Sequence, residues 1–278
     1  ETVQIPTAGP TPLPPIGEFV QGDERTTNGE SVISAPVVGL GGSVLSGTMA
    51  YCCTFSSAQL ATISDGTATF DAAGRMTGIS DAIGQNFFAD PDVTKIVDFG
   101  NDGIIAWGRW TGNVTGAASI DGLNAINEIY DANKGLHYVV GAPTALMPQI
   151  GTATYSLLGA TRPTLTDGSA SPGTFSGSLT VNFDVSNPIV RMNLNVAVGG
   201  LGYLINGNAG ISGNTFSGSY SDGAGMNGTN SSSCLSGCSS SVAGFFAGAA
   251  AERAGLAYKI SDSFAGKDVL GAAAFKKQ

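Results

Sequence analysis

The chain has 278 residues, of which 42% are hydrophobic and only 12% charged, with 41 glycines and a net charge of −9. Its twelve lysines and arginines are scattered, which excludes a nucleic-acid binder or a ligand for anionic membranes, both of which need a basic patch. The apolar fraction excludes wholesale disorder, and the wealth of glycine, serine, threonine, valine and alanine points to an all-β protein with many tight turns.

Residues 1–40 open the chain as an extended arm. The run IPTAGPTPLPPIGEF carries five prolines and is expected to be partly polyproline-like, packed on its own chain or on a neighbouring subunit. A chain that begins at Glu1, with neither initiator Met nor signal peptide, is expected for an exported protein after processing, and an expressed fragment looks the same. A first residue other than cysteine argues against a lipid anchor at that position.

Residues 41–135 read as a small β-rich region. SVLSGTMAYCCTF is strand-like, and GTATFDAAGRMTGIS reads as two strands around an Ala-Ala-Gly turn. KIVDFGNDGIIAWGRWTG reads as a hairpin turning at Asn101-Asp102-Gly103. Asp98, Asn101 and Asp102 are also oxygen donors of the kind calcium takes, although the turn explains them without a metal. SIDGLNAINEIYDANKG is a helix candidate, with a loop as the alternative: Leu123, Ile126, Ile129 and Tyr130 share a helical face and Gly135 ends it.

Residues 136–278 carry a continuous β pattern. LHYVVGAPT and TYSLLGATRPT are strand-like, and a hairpin around Ser186-Asn187-Pro188 has Val181, Phe183 and Val185 alternating on one arm and Met192, Leu194 and Val196 on the other. TFSGSL at 174–179 echoes TFSGSY at 215–220. The stretch SVAGFFAGAAAERAGLAYKI at 241–260 is too interrupted for a membrane helix, because Glu252 and Arg253 fall in its middle. It reads instead as two strands of a terminal meander, with Leu256, Tyr258 and Ile260 on one face. About eight strands joined by short local turns predict an antiparallel up-and-down barrel, in which closure removes exposed edges.

Four cysteines are present: Cys52, Cys53, Cys234 and Cys238. An even number in a chain that looks exported suggests two disulfides, and adjacent cysteines rarely bond each other, so Cys52 and Cys53 are expected to pair with Cys234 and Cys238 in either order. A four-thiolate zinc site and free thiols are the competing readings, with Cys-Cys departing from the usual zinc knuckle spacing. No metal is assigned.

His137 is the one histidine. No nucleophile elbow, paired-histidine metal motif or phosphate loop accompanies it, and no carboxylate pair is brought together, so no catalytic residue is assigned and no enzyme is expected. His137 and Tyr138, together with Trp107 and Trp110, are the candidate ligand-binding residues, with His137 as the axial ligand were haem bound. A packed strand histidine is the plainer reading. Trp107 and Trp110 are three apart, so in a strand they face opposite sides. Asn113-Val-Thr, Asn227-Gly-Thr and Asn230-Ser-Ser match the glycosylation triplet, which polar loops also contain by chance.

The run VAGFFAGAAAERAGLAYKISD, followed by VLGAAAFKKQ, resembles the closing strands of transferrin-binding-protein-B-like β-barrels. DGIIAWGRWTG, LHYVVGAPT and TYSLLGATRPT are similar to exported proteobacterial proteins carrying this barrel, some with a FecR-like domain. The resemblance covers residues 65–278. It implies a smaller β handle over 41–135, an eight-stranded barrel over 136–278, and haem binding as known among some relatives. The expected function is a non-catalytic extracellular or cell-surface protein that works through protein contacts. It would meet copies of itself, as a filament or surface layer joined by the arm, or another surface protein. A haem- or ligand-binding surface receptor is the alternative. No cofactor is assigned, and no nucleic acid or transmembrane segment is expected.

Overall fold

The computed structural model describes residues 40, 44–54, 57–82, 86–117, 125–221, 226–228, 237–263 and 266–278. The N-terminal arm, and with it the expectation of assembly through that arm, lies outside the described residues. Apart from a short 3-10 turn at Val93–Lys95, the described elements are strands.

The first sheet has nine strands: β1 (Leu45–Thr54), β2 (Ser57–Phe70), β3 (Met76–Ser80), β4 (Asn86–Phe88), β5 (Ile96–Asn101), β6 (Ile105–Trp110), β7 (Gly112–Ala117), β8 (Ala125–Tyr130) and β9 (Leu136–Gly141). They lie in the order β5-β6-β9-β1-β2-β3-β4-β7-β8. The turn between β5 and β6 forms where expected. Asp102 accepts the backbone N–H of Ile104 and Ile105, each at 3.1 Å, and Gly103 takes the positive φ of +85° that its lack of a side chain permits. Side chains from one face of all nine strands, from Met49 and Tyr51 through Phe87 and Trp110 to Tyr130 and Tyr138, meet in one core. A flat sheet could not bring them together, so the sheet is curled around them.

Two expectations are corrected here. Residues 125–130 form strand β8, not a helix: Tyr130 is buried while Ile129 points to solvent, because neighbours in a strand face opposite ways. Residues 136–141 belong to the first sheet and not to the barrel. β9 pairs antiparallel with β1 and β6, Thr48 lying opposite Val139 and Gly108 opposite Tyr138.

The second sheet is a closed eight-stranded antiparallel barrel of β10 (Thr152–Ala160), β12 (Thr174–Asn182), β13 (Ile189–Val198), β14 (Leu201–Ser212), β15 (Thr215–Ser221), β17 (Cys238–Ala247), β18 (Arg253–Asp262) and β19 (Lys267–Lys277). These strands follow one another around the wall, and β10 pairs with β19 to close it. Two short strands join from outside this path, β11 (Thr164–Leu165) on β19 and β16 (Met226–Gly228) on β14. β13 alternates strictly: Val190, Met192, Leu194, Val196 and Val198 enter the barrel, and Arg191, Asn193 and Asn195 face water. Val185 departs from the expected alternation. β12 ends at Asn182, so Val185 sits in the turn and is exposed.

Most of β19, the end of β17 from Gly244 and the start of β18 through Tyr258 do not alternate, because both faces are covered there. Leu256, Tyr258, Val269, Ala273 and Phe275 fill the barrel. On the outer side Phe245, Ala257, Leu270, Ala272 and Ala274 pack with Ala50, Ile105 and Val139 of the first sheet. The alanines of GAAAF are what let two pleated surfaces come this close. The outer apolar side chains also explain why the C-terminal sequence is apolar at nearly every position.

Candidate functional site

The structure places the four sequence candidates in two different environments. Trp110 and Tyr138 belong to the core of the first sheet. Their rings are 5.5 Å apart, the Trp110 indole donates to the Met76 carbonyl at 2.6 Å, and the Tyr138 hydroxyl accepts from the Met76 amide at 3.2 Å. Burial pushes the Tyr138 phenol well above its ordinary range. Both side chains therefore satisfy their polar atoms on the β3 backbone, and neither is open to a ligand.

Trp107 and His137 stand at the seam between the sheets. The Trp107 ring is clasped by two glycines. A Cβ at Gly159 of β10 would lie 2.1 Å from it, and one at Gly100 of β5 would lie 2.2 Å from it. His137 is fully buried, with Nδ1 2.8 Å from the Thr161 hydroxyl and Nε2 2.8 Å from the Thr164 hydroxyl. Burial, reinforced by the Arg109 guanidinium, holds its pKa well below the usual histidine range, so the ring is neutral. A neutral imidazole has one donor and one acceptor nitrogen, and hydroxyls serve both. Both ring nitrogens are thus engaged, which is not the arrangement of an axial haem ligand. His137 is a strut between β9 and the segment that follows β10.

The carboxylates considered for calcium are also committed. Asp98 takes Arg109 Nε at 2.8 Å on one oxygen and Arg162 Nε at 2.9 Å on the other. Asp102 Oδ2 pairs with Arg253 Nε at 2.5 Å, and Asn101 accepts from the Gly103 amide at 2.8 Å. Each therefore serves the turn or the seam. Arg109 is itself buried, and it also donates to the carbonyls of Ala132 and Lys134 at 3.1 and 2.7 Å. Among the described residues no cluster of His, Cys, Asp and Glu has the arrangement of a metal site.

Cys52 is buried on β1 and Cys238 is buried at the start of β17; no described cysteine is free. The side chain of Cys53 and all of Cys234 lie outside the described residues, and the expected cross-pairing lies there with them. Of the glycosylation triplets, Asn113 is exposed on β7, and the other two fall outside the described side chains.

The barrel ends carry features that no sequence motif marks. At one end the segment leading into β10 and the β12–β13 turn present Leu146, Ile150 and Val185, which are 78, 80 and 64% exposed. The turn is tied to that segment through Phe183, whose amide donates to the Gly151 carbonyl at 2.9 Å. Between them is a groove of about 230 Å3 lined by Met147, Pro148, Phe183, Val185, Pro188 and Ile211. ALMPQI carried a signal: three large apolar residues beside a proline, between strands, in a chain otherwise sparing of exposed aliphatics. At the opposite end, the start of β12 and the β13–β14 turn enclose a cleft of about 530 Å3.

No protein-family model and no curated protein matches this chain. Solved structures do. A variant of transferrin binding protein B from Haemophilus parasuis aligns at a TM-score of 0.45 and 16% identity, covering 84% of this chain and 45% of that one. Transferrin binding protein B from serogroup B Neisseria meningitidis aligns at 0.42 and 14%, covering 84% and 43%. A protein of unknown function from Nostoc punctiforme aligns at 0.28 and 7%, covering 85% and 96%. The chain thus spans less than half the length of the two transferrin-binding structures. At these scores and identities the likenesses carry no functional assignment.

Proposed function

We propose that this protein is a non-catalytic binding module, exported to the cell surface or beyond, that engages another protein through the apolar end of its barrel. The observation that carries this reading is the 230 Å3 groove lined by Met147, Pro148, Phe183, Val185, Pro188 and Ile211, with the exposed Leu146 and Ile150 in the segment that supplies Met147 and Pro148. Large aliphatic side chains scattered singly over a surface need no explanation, but a contiguous group around a groove marks a contact site. Among the lining residues, Met147 and Phe183 combine an adaptable side chain with a rigid one, which suits an inserted apolar side chain of a partner. Disulfides between the 52–53 and 234–238 pairs belong to this reading, because an exported protein matures where such bonds persist. The placement of His137, Asp98 and Asp102 as struts favours binding over catalysis, since their polar atoms hold the two sheets together.

A photo-crosslinking residue placed at position 146 or 150 tests the proposal in cells that export the protein. The same residue at position 208, on the polar barrel wall, is the control. A discrete crosslinked species from 146 and 150 and none from 208 is expected. Equal labelling from all three positions would overturn the reading, and a product twice the mass of this chain would make the partner a second copy.

A further inference from the structure

Lys277 stands at the apolar end of the barrel without a counter-ion. Alternation along β19 puts it on the same side as Phe275, which lies in the barrel core, while Lys276 between them is exposed. Its cross-strand neighbour on β10 is Tyr155, another residue of that core. Lys277 therefore leans over the barrel mouth. Its Nζ lies 5.6 Å from the centre of the Phe183 ring, and Phe183 lines the groove. The lysine is half-buried and, among the described residues, forms no ion pair. Two carboxylates belong to the same end of the barrel, and both serve their own turns. Asp184 Oδ1 accepts from the Ser186 amide at 3.2 Å and the Ser186 hydroxyl at 3.1 Å, and Glu252 Oε2 accepts from the Ala250 amide at 2.9 Å.

We propose that the protein segment engaged by the groove is acidic: an apolar side chain inserts beside Phe183, and an aspartate or glutamate close to it in sequence pairs with Lys277. This rests on the apolar end being a protein-binding surface. The groove, at about 230 Å3, is smaller than the roughly 300–1,000 Å3 of small-molecule sites, which suits one inserted side chain. A partner seated there also covers the Lys277 ammonium. A half-buried cation that loses its remaining water without gaining a counter-ion is costly, and the Phe183 ring offsets only part of that cost. A segment with the same apolar side chain but no carboxylate meets this penalty, and a basic one meets repulsion as well. Lys277 thus discriminates among apolar segments. Phe183 is itself packed on Phe246, ring centres 5.6 Å apart, so the cation is held at one place beside the groove.

The photo-crosslinking residue at position 146, in cells that export the protein, tests the proposal when combined with substitutions at position 277. Lys277→Met keeps the apolar stem without the charge and should lower the crosslinked yield about three- to tenfold. Lys277→Glu should abolish it, and Lys277→Arg should retain most of it. Mass spectrometry of the crosslinked product should place an aspartate or glutamate within about three residues of the linked position, roughly 10 Å of extended chain. Replacing that acidic residue of the partner with lysine should restore the crosslink to Lys277→Glu. Full yield from Lys277→Met and Lys277→Glu, a linked segment without a carboxylate, or a charge exchange that restores nothing would each overturn the acidic partner and leave the apolar-end reading intact. Equal losses from Lys277→Arg and Lys277→Met would also overturn it, since they would make Lys277 a packing residue. No crosslink from the protein with Lys277 unaltered would overturn both.

Discussion

Asp98 and Arg162 meet across the seam between the two sheets, Oδ1 to Nε at 2.9 Å, while the other oxygen of the same carboxylate holds Arg109 at 2.8 Å. One carboxylate on β5 thereby joins a buried cation of the first sheet to an exposed cation of the barrel. Asp98 does so from a left-handed backbone conformation, φ +53°, at an irregularity in β5. Asparagine tolerates that conformation nearly as well, so Asp98→Asn isolates the charge. Arg109 would keep its two carbonyl partners and lose its counter-ion in a dry site. A loss of about 2–3 kcal/mol in urea unfolding is expected. Arg162 is 58% exposed, and Arg162→Ala should cost less than about 1 kcal/mol. Equal losses for the two variants would show that the seam is not organised around Arg109.

His137 makes a pH prediction, sharpened by its being the only histidine. Its folded pKa lies well below the ordinary value, so the folded ring stays neutral where the unfolded ring takes a proton. The stabilisation is therefore fully present above about pH 6.5 and is lost as pH falls below it, by up to about 1.4 kcal/mol per pH unit. His137→Gln should be less stable at pH 8, and its stability should fall less steeply between pH 6.5 and 5. Urea midpoints of the two proteins across that window would decide the matter. Parallel curves would contradict the buried, neutral assignment.

Trp107 is the mechanical key of the seam, and glycine on either side of it is a steric requirement. Gly159→Ala places a methyl group 2.1 Å from the indole, which must move. A loss of about 1–3 kcal/mol is expected from overpacking. The double variant Gly159→Ala with Trp107→Leu should recover part of that loss, which a double-mutant cycle in chemical denaturation would register as coupling. Additive losses would mean that the ring has room to rotate away.

The barrel was legible in the sequence where one face of a strand meets water. β13 alternates residue by residue, and its register with β12 and β14 follows from that. Legibility failed where both faces are covered. LHYVVG is buried at all six positions, so nothing in it distinguishes a barrel strand from a strand of the first sheet; its partner β1 lies some ninety residues upstream. AINEIY misled for a different reason. Ile126, Ile129 and Tyr130 fit a helical face, and only cross-strand pairing with β7 settles the strand. Histidine and tryptophan carry chemistry, and that is why His137, Tyr138, Trp107 and Trp110 suggest a ligand pocket in the sequence. The partners that neutralise that chemistry, Thr161 and Thr164 for His137 and Gly100 and Gly159 for Trp107, are distant or featureless in sequence. The apolar end, by contrast, is visible in ALMPQI, although no motif marks it.

The central claim, that the apolar barrel end is the working surface, is tested most directly by titrating fluorescently labelled protein onto cells of the organism from which the chain comes. The comparison is with the triple variant Leu146→Ser, Ile150→Ser and Val185→Ser. These side chains are exposed, so thermal unfolding should shift little, by roughly 0.5 kcal/mol per site or less. The account predicts saturable binding by the unaltered protein and at least a tenfold weaker affinity for the variant. Saturable binding of equal strength by a variant with unchanged stability would place the working surface elsewhere on the molecule.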